Sequence, residues 1–277
     1  IAAWNTIGVV GTGTMAAGIT EVCAKAGYDV VVRGRSKEKA ERVAAAVAKS
    51  MRRMVDKGRL AEEDMVATLA RIRPTPDFAD LADCDLVVEA VAEDLDIKRE
   101  LFSQIAEVVS DDTLLSTTTS SLPVIECAMV TDRPDRFIGL HFFNPAAIMK
   151  LVEIVPTVQT ADATVEQARA FVDKVRKVGV LCPDRAGFIV NALLFPYLND
   201  AVKLLESHYA TAEKIDTALK LGAAYPMGPF QLIDIVGLDV TLAIIEALHA
   251  EFLEPSFEPA PLLRHMVDGG FLGRGAG

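Results

Sequence analysis

The segment Gly11-Thr12-Gly13-Thr14-Met15-Ala16 constrains the fold of this chain more than any other, because of what stands on either side of it. A short apolar, β-branched run from Thr6 to Val10 leads in, and a helix-period stretch from Met15 to Ala26 leads out. Gly11 permits a tight turn, Gly13 lets the backbone approach a pyrophosphate, and the small Ala16 lets helix and strand pack closely. The helix start at Thr14 and Met15 offers unpaired N–H groups to phosphate oxygens. A bare G-x-G-x-x-[GA] match is weak evidence. The strand before it, the helix after it and a return strand at Asp29 to Arg33 make it a dinucleotide-binding turn.

The rest of the first two thirds of the chain repeats this alternation. Leu86 to Glu89, Leu114 to Thr117, Phe137 to His141, Leu151 to Pro156 and Gly179 to Cys182 read as strands. Most are short and unalternated, as strands buried on both faces of a sheet are. Ser36 to Lys57, Ala61 to Ala70, Leu95 to Val109 and Asp162 to Val178 read as helices between them. Strand and helix in turn predict an α/β fold, a Rossmann-type doubly wound and mostly parallel sheet. After Cys182-Pro183-Asp184-Arg185-Ala186-Gly187 only helical periods follow, at Phe188 to His208, Ala212 to Leu221, Leu232 to Phe252 and Pro261 to Val267. Two domains are therefore expected, residues 1–184 and an all-helical domain over 185–277.

A net charge of −11 makes nucleic acid and anionic membrane surfaces poor partners, since both need a cationic footprint. No apolar run reaches the roughly 18 residues a membrane helix requires, and Ile1-Ala2-Ala3-Trp4 shows no basic-then-apolar leader pattern. Cys23, Cys84, Cys127 and Cys182 are far apart and in no C-x-x-C spacing. Neither a zinc knuckle nor a disulfide framework is expected, and a reducing cytoplasm fits best.

The end of the return strand selects the dinucleotide, because an acidic residue there holds the ribose 2′-hydroxyl of NAD. This chain has Arg33-Gly34-Arg35-Ser36 instead. Two guanidinium groups and a hydroxyl suit a 2′-phosphate, so NADP is the expected cofactor and NAD the alternative. Further along, His141-Phe142-Phe143-Asn144-Pro145 and Lys150-Leu151-Val152-Glu153 set one imidazole and one carboxylate among apolar residues. A carboxylate can orient an imidazole and stabilise its cation, which is the equipment of a general acid/base. The densest positive charge lies in Lys49 to Arg59, where Arg53 and Lys57, four apart, share a helix face.

These residues carry a resemblance over nearly the whole chain. It resembles the L-3-hydroxyacyl-CoA dehydrogenase family, and among its members most closely the bacterial 3-hydroxybutyryl-CoA dehydrogenases. The matching pieces are Gly11 to Met15, Val88-Glu89-Ala90-Val91 with Glu93 and Lys98, Thr119-Ser120-Ser121-Leu122, and Arg133-Pro134-Asp135-Arg136. They continue through His141 to Pro145, Lys150 to Glu153, Gly187-Phe188-Ile189-Val190-Asn191, Pro226-Met227-Gly228-Pro229 and Pro261-Leu262-Leu263.

The resemblance implies a helical C-terminal domain that forms a homodimer, a substrate cleft between the domains, and interconversion of (S)-3-hydroxyacyl-CoA and 3-oxoacyl-CoA. It implies His141 as acid/base, Glu153 as its orienting partner, and Ser120 and Asn191 as hydrogen-bonding groups for substrate. Asn144 would neighbour the site. Glu93, Lys98 and Ser120 match positions that touch the cofactor, and Arg53 and Lys57 fall in the helix whose basic residues meet the acyl-CoA. Two departures stand out: Thr118 where the family usually has Asn, and Gly34-Arg35 where an acidic residue is usual. Relatives commonly continue past Gly273-Arg274-Gly275-Ala276-Gly277 into a Gly- and aromatic-containing tail. Two other readings remain open here, a dehydrogenase of a free hydroxy acid such as L-gulonate or carnitine, and a cofactor-binding structural or sensor protein like the lens crystallins that resemble this family.

Overall fold

The computed structural model describes residues 4–274, so most of Ile1 to Trp4 and the end of the Gly273–Gly277 segment lie outside the described residues. Eight strands form one sheet: β1 (Thr6–Val10), β2 (Asp29–Arg33), β3 (Ile72–Thr75), β4 (Leu86–Glu89), β5 (Leu114–Thr117), β6 (Phe137–Phe142), β7 (Leu151–Pro156) and β8 (Val178–Leu181). Their order is β3-β2-β1-β4-β5-β6-β7-β8. β1 to β6 run parallel, with chain crossovers carried by α1 (Thr14–Lys25), α2 (Lys37–Asp56), α3 (Glu62–Leu69), α4 (Leu95–Ala106) and α5 (Val124–Ala128). Ile7, Val9, Val30, Val32, Leu86, Val88 and Leu114 are fully or almost fully buried, which is why these strands read as unbroken apolar runs.

The connection between β6 and β7 spans only Phe143 to Lys150, too short for a helical crossover, and β7 is antiparallel to β6. α6 (Asp162–Lys174) then returns the chain to β8, parallel to β7. The sheet is thus mostly parallel with a reversed two-strand edge. Order reverses between β1 and β4, and in such sheets ligands bind outside the carboxyl ends of the strands at that point.

The chain divides into two compact units, residues 1–184 and 185–277. The second is helical: α7 (Val190–Glu206), α8 (Ala212–Gly222), α9 (Pro229–Val236), α10 (Leu238–Phe252) and α11 (Pro261–Asp268). Phe195, Leu198, Val202, Ile245, Leu248 and Leu263 fill its core. The Asp216 carboxylate, from α8, accepts from the backbone N–H groups of Phe230 (2.8 Å) and Gln231 (3.1 Å) and so caps the first turn of α9.

Several elements differ from the sequence expectation. β3 is an additional strand. Its Ile-Arg-Pro-Thr sequence lacks a strand's apolar density, and Pro74 is tolerated because β3 sits at the sheet edge. α5 is likewise additional, and at five residues is too short to show a period. The expected single helix Leu232 to Phe252 is two, broken at Gly237, whose φ of 102° ends α9. β8 starts one residue earlier than expected and is exposed along its length, with Val178 60% exposed, whereas an apolar run there reads as doubly buried.

Candidate active site

At the switch point a cavity of about 500 Å³ is walled by Gly11 to Met15, by Ala90 to Ala92 beyond β4, by Arg33 at the end of β2 and by Gly34 and Arg35 after it. Gly11 has φ 143°, and a Cβ there would lie 2.2 Å from the Ala90 carbonyl oxygen, so only glycine lets the β1 turn pass this close to β4. Gly13 meets nothing within 4 Å at its Cβ position and faces open space. It is the N-cap of α1 with no side-chain cap, so the first-turn N–H groups of α1 are left for a ligand. Ala16 is buried beneath the turn. An open glycine turn on an uncapped helix start fits the pyrophosphate of a dinucleotide.

Arg33 and Arg35 both reach this cavity, in different ways. The Arg33 guanidinium lies over the Phe78 ring, 3.7 Å from its centroid, and its Nε donates to the Pro76 carbonyl at 3.2 Å. Burial, and then repulsion from Arg35, hold its pKa below the usual value. Arg35 is exposed, and the Ser36 hydroxyl oxygen caps α2 by accepting from the Lys39 N–H at 3.2 Å. Gly34 is buried and crowded: a Cβ would lie 2.8 Å from the Ala40 nitrogen and 2.9 Å from Thr12 Cγ2.

His141 and Glu153 are register partners across β6 and β7, so their side chains leave the same face of the sheet. Nδ1 of His141 lies 2.7 Å from Oε2 of Glu153. His141 is 5% exposed and Glu153 0%, and the Phe143 ring packs 4.5 Å from the imidazole, centroid to centroid. A buried carboxylate bonded at Nδ1 fixes the ring's orientation and favours the tautomer with its other nitrogen, Nε2, as the working atom.

The β6–β7 connection carries Asn144, joined to Pro145 by a cis peptide. The buried Lys177 holds it, donating from Nζ to the carbonyls of Ala146 (2.5 Å) and Met149 (2.6 Å). Asn144 lines a second groove of about 490 Å³ together with Gly13, Thr14, Arg42, Ser50 and Arg53. Arg53 thus lies on the groove, whereas Lys57 follows at the C-cap of α2. There its charge complements the negative end of the helix.

Ser120 follows β5, and beside it lies a buried ion cluster. Nζ of Lys98 lies 2.8 and 2.9 Å from the two oxygens of Glu89 and 3.1 Å from Oε2 of Glu93. Glu89 is 0% and Lys98 1% exposed. Glu89 also accepts from the Val91 N–H and the Thr117 hydroxyl, both at 2.7 Å. Oε1 of Glu93 accepts from the Thr119 hydroxyl and from the N–H of Ser120 at 2.9 Å. Burial pushes the Glu93 carboxyl up, but Lys98 and these bonds outweigh it and hold the group below its ordinary value. From α4, Ile97 and Leu101 line the cavity at the switch point, while Lys98 between them is buried against Glu89. Glu89 was legible only as part of a motif. Its carboxylate at the end of an apolar strand is the one sequence sign of a buried charge needing a partner.

Asn191 is the second residue of α7, in the helical unit, and is buried. Thr118 is half-buried, its N–H donating to the Glu89 carbonyl at 3.1 Å. All four cysteines are free and buried, their thiols pushed up to about 12, mainly by burial. Among the described residues no helix is long and apolar enough to cross a membrane.

Two family models match the chain: 3-hydroxyacyl-CoA dehydrogenase, NAD binding domain, over residues 6–185, and 3-hydroxyacyl-CoA dehydrogenase, C-terminal domain, over residues 187–277. The chain is 42% identical to a probable 3-hydroxybutyryl-CoA dehydrogenase of Deinococcus radiodurans, over 98% of this chain and 97% of that one. It is 43% identical to the 3-hydroxybutyryl-CoA dehydrogenase of Mycobacterium tuberculosis, over 98% and 96%. The crystal structure of (S)-3-hydroxybutyryl-CoA dehydrogenase from Ralstonia eutropha superposes with a TM-score of 0.96 at 40% identity, covering 98% of this chain and 96% of that one. With the glycine turn, the His141–Glu153 pair and both domain models in place, the chain belongs to the 3-hydroxyacyl-CoA dehydrogenase family.

Proposed function

We propose that this member of the family interconverts short-chain (S)-3-hydroxyacyl-CoA, such as 3-hydroxybutyryl-CoA, and the 3-oxoacyl-CoA, with NADP(H) preferred over NAD(H). The observation that carries the reaction is the buried His141–Glu153 pair at 2.7 Å in a chain with a dinucleotide turn. A bound nicotinamide supplies the hydride acceptor or donor. In the oxidative direction neutral His141 takes the proton of the 3-hydroxyl group, and Glu153 stabilises the imidazolium formed. In the reductive direction the same imidazolium returns its proton to the nascent alkoxide. Ser120 and Asn191 are assigned to donate to the reacting oxygen or the thioester carbonyl, each stabilising charge that grows there. Arg53 and Lys57 are assigned to the anionic groups of coenzyme A, with Arg53 better placed because it lines the groove beside Asn144.

The cofactor preference rests on Arg33 and Arg35. Two cations on one cavity wall, with Arg33 part-desolvated and repelled by Arg35, gain from a phosphate dianion between them. Glu93, Lys98, Asn144 and Ser120 are assigned to the nicotinamide side of the dinucleotide, and Gly11 to Ala16 to its pyrophosphate.

We further propose a homodimer through the helical unit, where Leu193, Leu221 and Ile235 are exposed, and a reducing cytoplasmic setting that leaves the four cysteines unpaired. Initial rates with acetoacetyl-CoA and with NADPH or NADH test the reading, with light scattering for the assembly. No turnover with any acyl-CoA would sink it, and turnover of free hydroxy acids alone would move the substrate to that class.

A further inference from the structure

Arg33 and Arg35 share one cavity wall, but Arg33 is the one seated on a platform. Its guanidinium lies over the Phe78 ring, 3.7 Å from the centroid, and its Nε donates to the Pro76 carbonyl at 3.2 Å. Among the described residues its two terminal nitrogens have no hydrogen-bond or ion-pair partner. One N–H of the five is therefore spent on holding the group, and the planar fork is left for an acceptor.

The platform is built by β3 and the turn after it. Strand register sets Arg33 beside Thr75, and the Gly34 N–H donates to the Thr75 carbonyl at 3.0 Å. The buried Thr75 hydroxyl accepts from the Asp77 N–H at 3.1 Å and donates to the Asp80 carboxylate, which also takes Nη1 of Arg73 at 2.9 Å. Leu81, fully buried, anchors the end of the turn in the core. These bonds fix the Pro76 carbonyl and the Phe78 ring against the end of β2. Burial and the Arg35 charge disfavour the Arg33 cation, and the exposed Asp77 carboxylate offsets them only in part. A dianion at this wall would relieve the repulsion.

We propose that the Pro76–Leu81 turn is a platform that holds the Arg33 guanidinium for the 2′-phosphate of the dinucleotide, with Phe78 as the positioning residue. This rests on the reading of NADP as the preferred cofactor. Arg35, exposed, adds charge at the same wall, while Arg33 adds a fixed fork. A group already seated loses less rotamer freedom when phosphate binds, so the platform acts on affinity for NADPH. NADH has a hydroxyl in place of that phosphate, and its affinity is expected to be indifferent to Phe78.

Dissociation constants for NADPH and NADH, measured by fluorescence titration without substrate, test it in a double-mutant cycle of Phe78→Leu and Arg33→Ala. Phe78→Leu keeps apolar bulk and removes the ring face. It is expected to weaken NADPH by roughly fivefold to tenfold, as for a lost cation–π contact, and to leave NADH within about twofold. Phe78→Tyr keeps the face and is expected to restore NADPH affinity. In the Arg33→Ala background Phe78→Leu should cause no further loss. Equal weakening of both dinucleotides, or additive losses, would overturn the proposal. Should Phe78→Leu bind neither dinucleotide, Arg33→Lys carries the test, since it leaves the turn intact and keeps the charge but not the stacking plane. Unchanged NADPH affinity in Arg33→Lys would again overturn the platform, and a roughly tenfold loss would support it. A wild-type protein that binds NADPH no more tightly than NADH would refute the NADP reading itself, and the proposal with it. If NADPH is preferred but Arg33→Ala leaves its affinity unchanged, only the platform falls.

Discussion

His141 and Glu153 sit opposite each other at the one step where the sheet, among the described residues, turns antiparallel. Their bond is a consequence of register: a slip of one residue in β7 would turn Glu153 to the other face and bring Val152 or Ile154 against the imidazole. The short connection through Asn144, held by Lys177, keeps that register.

Replacing His141 by Gln is expected to lower kcat by at least about 10²-fold, the lower end of what a positioned acid/base contributes, with NADPH binding retained. Glu153→Gln keeps the shape but not the charge that stabilises the imidazolium, and a loss of similar sign in kcat is expected. Steady-state rates with a parallel fluorescence titration of the dinucleotide check both. Near-normal turnover in His141→Gln would remove it from its role.

Arg35 is the exposed member of the guanidinium pair and its removal disturbs no packing. Arg35→Ala is expected to raise KM for NADPH by roughly tenfold or more, as for a lost charged hydrogen bond of about 1.5–3 kcal/mol, with NADH little changed. Gly34→Asp with Arg35 neutralised is expected to move preference further toward NADH. That aspartate meets the Ala40 backbone at 2.8 Å, so α2 must shift and part of the gain is lost to strain. An unmoved ratio of kcat/KM for the two dinucleotides would refute the phosphate clamp.

Charge reversal at Arg53 is expected to raise KM for acetoacetyl-CoA by roughly tenfold, and reversal at Lys57 by less, since only Arg53 lines the groove beside Asn144. Because both groups are exposed, the effect of each should shrink as salt rises. KM measured at two ionic strengths decides it. Equal effects at the two positions would argue for diffuse attraction and against a contact at Arg53.

The Glu89–Lys98–Glu93 cluster also sets a pH window for stability. Glu93 has its folded pKa depressed, so its contribution is present above the unfolded value, about 4.3, and is lost as pH falls through the folded one. Burial pushes Lys98 down, but Glu89 and Glu93 outweigh it and raise its pKa. Its contribution is present below about 10.4 and is lost as pH rises through the raised value. Urea midpoints across pH should therefore fall at both extremes, and the acid-side fall should be shallower in Glu93→Gln. An unchanged acid limb in that variant would assign it to other carboxylates.

Much of this architecture is legible in the sequence because its signals are local. A glycine turn between an apolar run and a helix period, Pro and Gly punctuation, and strand-length apolar segments act within a few residues, and β1, α1, β2, β4 and β5 fall where those patterns put them. β3 and α5 escaped because they carry no period long enough to read, and the Gly237 break escaped because a lone glycine inside an apolar helical pattern is often tolerated. β8 reads as a buried strand from composition, yet stands at the sheet edge, which depends on neighbours that composition does not encode.

At the site the division is sharper. By itself the sequence determined a dinucleotide turn, an arginine pair where an acid is usual, and one histidine with one carboxylate twelve positions on. Only the tertiary structure decided that β7 reverses to face His141 with Glu153, that Arg33 lies on Phe78, that Gly34 is crowded by Ala40, and that Lys98 points inward. The reason is range. Turn chemistry and periodicity are set by adjacent residues, whereas strand direction and the aim of a charged side chain are set by which distant groups must satisfy a buried polar atom.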